Sequence, residues 1–558
     1  MSKNQCYDYV IVGAGSAGCV LALRLSADPQ VRVLILEAGG RDSDPLIQIP
    51  VGIGKIGLGK RNGGRVHDWG YSTEPEPLLG GRVIEVRRGK ILGGSSSINV
   101  MAYVRGNPGD YDRWSREGAE GWSYAEVLPY FKRCETFERG ANFWRGGEGP
   151  LGVTFAKTPD PLFPALIEAG KAAGFPATDD YNGAQQEGFG RSQMTIWNGR
   201  RSSASVAFLR PALRRPNLDV KMKACATRVL IENGRAIGVE YLRAGRTTSI
   251  YADREVILAA GVFNSPQLLM LSGVGDPARL RETGIACKVE SPSVGKNLQD
   301  HPAVTLRWSR SVSGPFHAEM RFDRMMKNLA RAYLFGSGPA TYLPGGTFAF
   351  VKTRPDLDIP DIQFLFPASP ADVHLWFPGM VAPYQDGFGV RPCLMRPKSR
   401  GEVRLRSADP CAPVRIVQNF FADPTDLATL RDGCKIARDV IAQKPLDPYR
   451  GAELTPGPRV QSDAEIELWI RKTVNTSSHP SCTCVMGNDD DCVVDPQLRV
   501  RGISGLRIVD ASVMPDVVTG NINACVLMIA EKASNMILDR PPPNVSNFGV
   551  ESNLAVAT

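Results

Sequence analysis

Of the chain's five histidines, His479 stands apart: it lies in NTSSHPSCTCVMG (475–487), among small and polar residues. Three readings are open to an imidazole placed there: a satisfied core residue, a metal ligand, or a base that moves a proton near neutral pH. Cys482 and Cys484 follow as C-x-C, with Cys492 close behind. No second Cys/His pair stands at zinc-finger spacing, so no metal site is expected. The other stretch that carries chemistry is at the opposite end of the chain. There Gly13, Gly15 and Gly18 form G-x-G-x-x-G within YDYVIVGAGSAGCVLALRLSADPQVRVLILEAGG (7–40).

Those glycines need particular elements around them. The apolar run Tyr9–Val12 predicts a buried parallel strand, a helix opens at Ser16, and a second apolar run, Val31–Leu36, ends in Glu37. Gly13 makes the tight turn, Gly15 lets the backbone approach a pyrophosphate, and Gly18 lets helix and strand pack closely. The helix N-terminus offers free N–H groups and positive potential to the diphosphate. Glu37, about twenty residues past the glycines, suits the ribose hydroxyls of an adenosine. Strand, turn, helix, strand and acid together point to a dinucleotide, without separating FAD from NAD.

At 558 residues the chain is too long for one compact core, so two domains are expected. Net charge is +8, from 66 basic and 58 acidic residues, and no dense Lys/Arg run suggests nucleic acid. No window approaches the roughly 18 consecutive apolar residues of a membrane span, and the N-terminus lacks the pattern of a signal peptide. Twelve scattered cysteines suit reduced thiols, and a soluble cytoplasmic protein is expected.

Three further stretches carry a family resemblance. GKILGGSSSINVMAYVRGNPGDYD (89–112), GVFNSPQLLMLSGVG (261–275), and HPSCTCVMG followed by LRIVDASVMPDVVTGNINACVLMIAEKAS stand in that order along the chain. Together with the glycine motif they resemble the glucose–methanol–choline (GMC) oxidoreductases, over residues 7 to about 538. Val262 departs from the second signature, where a smaller or polar residue is usual, and a local packing change is expected there. The resemblance implies FAD in a Rossmann-type α/β domain assembled from separated segments, with a second α+β substrate domain on an antiparallel sheet. By the same likeness the LGGSSSIN loop, with Gly93, Gly94, Ser95 and Asn99, would pass over the flavin ring, and Val100, Met101 and Ala102 would also belong to the FAD site. Val229 would meet the adenine, and Asp510, Ala511 and Ile522 would line the flavin. Some members attach FAD through a histidine at the position of Ile98, so FAD is expected here to be bound non-covalently.

The resemblance also separates the histidines. His479 matches the family's catalytic base, and Asn521 its partner, with Asn523 the neighbour most easily confused with it. His301, in GKNLQDHP, is expected to hydrogen-bond in a turn. His67 is expected in a loop near the flavin, and His317 and His374 at the surface or pocket wall. The implied reaction is oxidation of an alcohol to an aldehyde or ketone: His479 takes the hydroxyl proton and hydride moves to flavin N5. The helix beginning NINAC would point its N-terminus at the reduced flavin.

The FAD-binding domain is expected over 1–154, 216–304 and 475–540, the substrate domain over 155–215 and 305–474, and a tail over 541–558. PDIQFLFPA (360–368) and RPKSRGEVRLRS (396–407) read as strands, and DPTDLATLRDGCKIARDVIAQ (423–443) as a helix. Phe364, Phe366, Trp376 and Phe377 are candidates for an apolar substrate wall, and no acid for a trimethylammonium group stands out. Expected partners are a small-molecule alcohol and an electron acceptor (oxygen, a quinone or a redox protein), a dehydrogenase being favoured over an oxidase. A redox-silent lyase of the hydroxynitrile type, a flavin photodecarboxylase and a non-catalytic flavin binder are the alternatives on this fold.

Overall fold

Consecutive apolar residues predict strands buried on both faces, and the computed structural model forms them so. It describes residues 6–543 apart from 59, 62, 63 and 66. β1 (Cys6–Val12) leads through the glycine turn into α1 (Ser16–Leu25), which returns to β2 (Val33–Glu37), buried at every position. The chain comes back to this sheet as β3 (Leu218–Met222), β4 (Cys225–Glu232), β5 (Arg235–Arg243) and the long β6 (Arg246–Leu258). The order is β3–β2–β1–β6–β5–β4. β3, β2, β1 and the second half of β6 run parallel, and β5 and β4 extend it antiparallel.

α2 (Asn264–Leu271) follows β6, with no side-chain cap at its start. The side chains of its first two residues are engaged elsewhere: Asn264 Nδ2 donates to the Tyr71 hydroxyl at 2.7 Å, and Ser265 Oγ donates to Asp510 at 2.6 Å. Val262 is buried beside Phe263 and Tyr71, and its carbonyl accepts the Thr483 hydroxyl.

The second large sheet is antiparallel and contains the strands Arg450–Thr455, Leu306–Arg310, Gly387–Leu394, Ile362–Leu365, Thr347–Val351 and Gly188–Arg191, in that order. α3 (Pro424–Ala442) covers one face, capped by Asp423, whose side chain accepts from Thr425 N–H. It turns Leu427, Leu430, Cys434, Ala437 and Ile441 inward against Phe364, Phe366 and Phe388. Burying each large apolar side chain here contributes about 1.5–3 kcal/mol. RPKSRGEVRLRS forms no strand of this sheet; Glu402–Arg404 pairs separately with Arg415–Val417.

The chain finally re-enters the first sheet as β7 (Leu506–Ile508), parallel to β6, and ends in α4 (Asn523–Ile537), which packs on α1. α4 starts two residues later than the run NINAC suggested, because Ile522 is its cap position. Residues 544–558 of the expected tail lie outside the described residues. No described helix is long and apolar enough to cross a membrane, and all twelve cysteines are free thiols.

Candidate active site

A cavity of about 710 Å³ runs from the glycine turn to His479, between the two sheets. At one end lie Gly13, Gly15, Ser16 and Glu37. Gly13 has φ +101°, and a Cβ there would meet the Ala259 carbonyl at 2.4 Å, so only glycine makes this turn. A Cβ on Gly15 would find nothing closer than 4.0 Å, so bare backbone faces the cavity. Gly15 caps α1 without a side-chain bond, which leaves first-turn N–H groups for an anion. Glu37 accepts from the N–H of Ala14 and of Gly39, at 2.9 and 2.7 Å, and burial pushes its carboxyl up to about 7.

Gly94, Ser95, Asn99, Val100 and Ala102 line the middle of the cavity, together with Asp510, Ala511, Asn521 and Ile522. A Cβ on Gly94 would strike the Gly15 Cα at 2.7 Å, so two glycine turns interlock. α4 also begins without a side-chain cap, and Ser16 Oγ donates to Asn523 Oδ1 at 2.7 Å, so two uncapped helix N-termini converge here. This is a fitting cradle for FAD: a shape with no side chains at the pyrophosphate position, donors for its anionic charge, and an acid at the adenosine end. Ile98 lines the cavity and offers no nucleophile.

Gly18, Gly93, Met101 and Val229 do not line it. Gly18 serves packing, since a Cβ there would meet the Gly13 carbonyl at 1.9 Å. The Gly93 N–H donates to the Ala14 carbonyl. Met101 packs with Met194 and Ile196. Val229 is buried in the sheet core, and Ala224, Cys225 and Ala226, a few residues earlier, face the cavity instead.

At the other end stands His479, part-buried in the cavity wall, on a loop whose Ser478 takes the left-handed conformation at φ +65°. Nε2 of His479 lies 2.9 Å from Asn521 Nδ2, and Gln363 Nε2 donates to Asn521 Oδ1 at 3.2 Å. That bond holds the amide with its NH₂ toward the imidazole. Asn523 is turned to Ser16 and plays no part in this pair. Nδ1 of His479 lies 2.9 Å from Nδ1 of His301. His301 is therefore no turn residue: it is fully buried directly behind His479, because Pro302–Ala303 pairs in register with Asn475–Thr476.

Asp300 ties the two histidines together. Its Oδ1 accepts the backbone N–H of His301 and of His479, at 2.8 and 2.9 Å, and its Oδ2 accepts the Thr476 hydroxyl. Burial pushes the His479 imidazole well below its ordinary range, with the positive charges of Arg88 and Arg391 adding to the shift. Burial likewise pushes His301 down to about 3. Both rings are neutral at pH 7.

The expected aromatic wall is absent from the cavity. Phe364 and Phe366 point to the opposite face of their strand, into the core under α3, while Gln363 and Leu365 face the site. Trp376 donates its indole N–H to the His317 carbonyl, and Phe377 is part-exposed in the same loop. His67, His317 and His374 contact Asp44, Tyr384 and Ala382, respectively, and do not line the cavity, although Asp68 and Trp69 next to His67 do. Arg88, Asp300, Gln363 and Arg391 were not singled out by sequence. The one available signal was Asp300, next to His301 in GKNLQDHP.

Comparison with known proteins agrees with this geometry. The N-terminal model of the GMC oxidoreductases matches residues 7–303, and the C-terminal model matches 397–530. The chain is 45% identical over 545 residues to an oxygen-dependent choline dehydrogenase of Sinorhizobium fredii, covering 97% of each. It is 45% identical over 543 residues to a protein of the same name from Brucella ovis, again covering 97% of each. Among solved structures, pyridoxine 4-oxidase from Mesorbium loti superposes with a TM-score of 0.84 at 30% identity, covering 96% of this chain and all of that one. A formate oxidase gives 0.87 at 29%, covering 96% and 98%.

Proposed function

Because the chain belongs to the GMC oxidoreductase family, and is an FAD-dependent oxidoreductase acting on CH–OH groups, we propose that His479 is the base for its alcohol and Asn521 the group that orients the hydroxyl. The observation that carries this is the 2.9 Å approach of Asn521 Nδ2 to His479 Nε2 at the cavity wall. A hydroxyl placed there accepts from the amide N–H and donates to the imidazole.

Bound FAD supplies the two-electron acceptor for the carbon that is oxidised. Everything else falls to the chain's own groups. Gln363 fixes the Asn521 amide, so that His479 Nε2 faces a donor and keeps its lone pair. The proton of His479 then sits on Nδ1 and is donated to His301 Nδ1. Burial and two nearby guanidinium groups keep the base uncharged until substrate arrives. Its neutral state excludes competing protonation at physiological pH, and a positioned base of this kind contributes about 10²–10⁴-fold.

Non-covalent attachment is supported by Ile98 at the position where a nucleophile would be needed. Reduced, unpaired thiols support a cytoplasmic protein. The name shared by the two curated relatives, oxygen-dependent choline dehydrogenase, supports an alcohol dehydrogenase reading and makes choline the reference alcohol in the test. The lyase and photodecarboxylase readings lose ground to the intact base–amide pair.

The test is anaerobic. Purified protein is mixed with alcohols of different classes while the flavin absorbance is followed, and air or a quinone is then admitted. Bleaching by an alcohol supports the reading, and the rate of recolouring separates oxidase from dehydrogenase. If no alcohol bleaches the flavin, the reading fails.

A further inference from the structure

We infer that the alcohol this site takes carries an anionic group at its far end, bound by Arg391. The inference rests on the alcohol-oxidation reading and names the substrate class within it. Arg391 lines the same cavity as His479 and Asn521, on the strand Gly387–Leu394. Its cross-strand partner is Leu365, also a lining residue, and the next rung on the same face, Gln363 with Cys393, is the one whose Gln363 holds Asn521. Two residues along a strand is about 7 Å, so the Arg391 backbone lies about that far from the rung that carries Gln363.

The guanidinium is already positioned by neutral partners. Nη1 donates to the Thr305 hydroxyl and Nη2 to the Thr476 carbonyl, each at 3.2 Å. These two bonds take two of the five N–H donors, the Cys393 thiol lies beside the group as well, and the planar fork suits a carboxylate. Among the described residues no carboxylate lies within ion-pair distance of Arg391, Arg88 or Arg307. Arg307 stands next to Arg391 and donates to the Ser369 carbonyl, and Arg88 donates to the Ser478 carbonyl.

The acids that face this group are few. Asp300 and Asp68 face Arg88, and Asp372 faces Arg307. The three carboxylates of the cavity wall are occupied by backbone amides: Glu37 by Ala14 and Gly39, Asp68 by Gly70 and Arg88, Asp510 by Gly261 and Ser512. A quaternary ammonium group would meet like charge and no free acid; an anion would complete a charge-assisted pair.

Three matched alcohols test this on the FAD-loaded protein: choline, its neutral tert-butyl isostere, and γ-hydroxybutanoate. We expect γ-hydroxybutanoate to have the highest kcat/KM and choline the lowest. In Arg391→Met the ratio of kcat/KM for the anionic over the neutral alcohol should fall about 10- to 100-fold, and Arg391→Lys should restore part of it. Butanoate, which cannot be oxidised, should perturb the flavin spectrum and bind more weakly to Arg391→Met. Choline oxidised as well as γ-hydroxybutanoate, or a ratio unmoved in Arg391→Met, would overturn the inference. Bleaching by no alcohol at all would count against oxidation itself, and the butanoate titration would still decide for or against Arg391.

Discussion

Nδ1 of His301 lies 2.9 Å from Nδ1 of His479, and the two rings meet at 80°. Two imidazole nitrogens at that distance share one proton, and the rest of the network decides which ring donates. The Asn521 amide faces Nε2 of His479 with its NH₂, so that nitrogen is the acceptor and Nδ1 is the donor. His479 is thereby held in the one tautomer whose lone pair points at the cavity.

From this it follows that His479→Ala should keep bound flavin and lose turnover. Removing a positioned base costs about 10²–10⁴-fold, whereas the FAD cradle is built at the other end of the cavity. The ratio of flavin to protein absorbance reads the first effect, and single-turnover flavin bleaching reads the second. Turnover at the wild-type rate would refute His479 as base.

His301 acts only through His479, so its loss should show differently. His301→Gln should slow bleaching by roughly 10- to 100-fold, the scale on which a partner at the second imidazole nitrogen matters in metal sites. It should also move the pH profile, because the tautomer of His479 is no longer imposed. Stability offers a second readout. The unfolded chain protonates His301 near 6.5 and the folded protein only near 3, so the folded state loses stability as pH falls from 6.5 toward 3. Denaturant melts across that range should show a shallower loss in His301→Gln.

The acid limb of kcat/KM should lie well below pH 6.5. The active form has neutral His479, whose imidazole is held below its ordinary value by burial first, then by His301, Arg88 and Arg391. Activity is therefore retained through pH 6.5 and lost only on further acidification. Arg391→Met removes one positive neighbour and should move that limb upward. A limb at or above 6.5 in the wild type would contradict the buried, neutral base.

Much of this site was legible before the structure, and the parts that were not share a cause. The glycine turn and Glu37 are local: strand, turn and helix are consecutive, so spacing alone carries the geometry. Asn521 came from the family resemblance, which matches it to the partner of the catalytic base. His301 was misread because its role depends on Pro302–Ala303 pairing with Asn475–Thr476, and nothing local announces a partner 178 residues away. Phe364 and Phe366 were assigned to the wrong face for a related reason. Their strand is covered on both sides, so alternation gives two faces without saying which one meets the cavity. Val229 shows the same difficulty at the scale of a few residues: it is buried in the sheet core, while Ala224–Ala226 line the cavity.

Asp300 should matter to both stability and turnover. One carboxylate oxygen accepts the backbone N–H of His301 and His479, and the other accepts from Thr476 and Gln418. Asp300→Ala would leave two buried amides without an acceptor, at about 1–3 kcal/mol each. We expect a lower Tm and a slower bleaching rate together in the flavin-loaded protein. A variant with unchanged melting would show that the loop is held by other contacts.

Glu37 couples FAD binding to pH. Its carboxyl is pushed up to about 7 by burial, which outweighs the N–H groups of Ala14 and Gly39 that favour the ionised form. In the apoprotein the folded state thus binds more protons than the unfolded chain between 4.5 and about 7, and its stability falls as pH rises through that window. Ribose hydroxyls donating to Glu37 favour the carboxylate, so FAD binding should release a proton and tighten from about pH 6 to about pH 8. Glu37→Gln cannot ionise and loses a charge-assisted bond, so it should weaken FAD about 10- to 100-fold at the higher pH. The pH dependence of binding should largely disappear with it. Titration of the apoprotein with FAD at both pH values decides the matter: equal tightening with pH in wild type and Glu37→Gln would assign the linkage to another group.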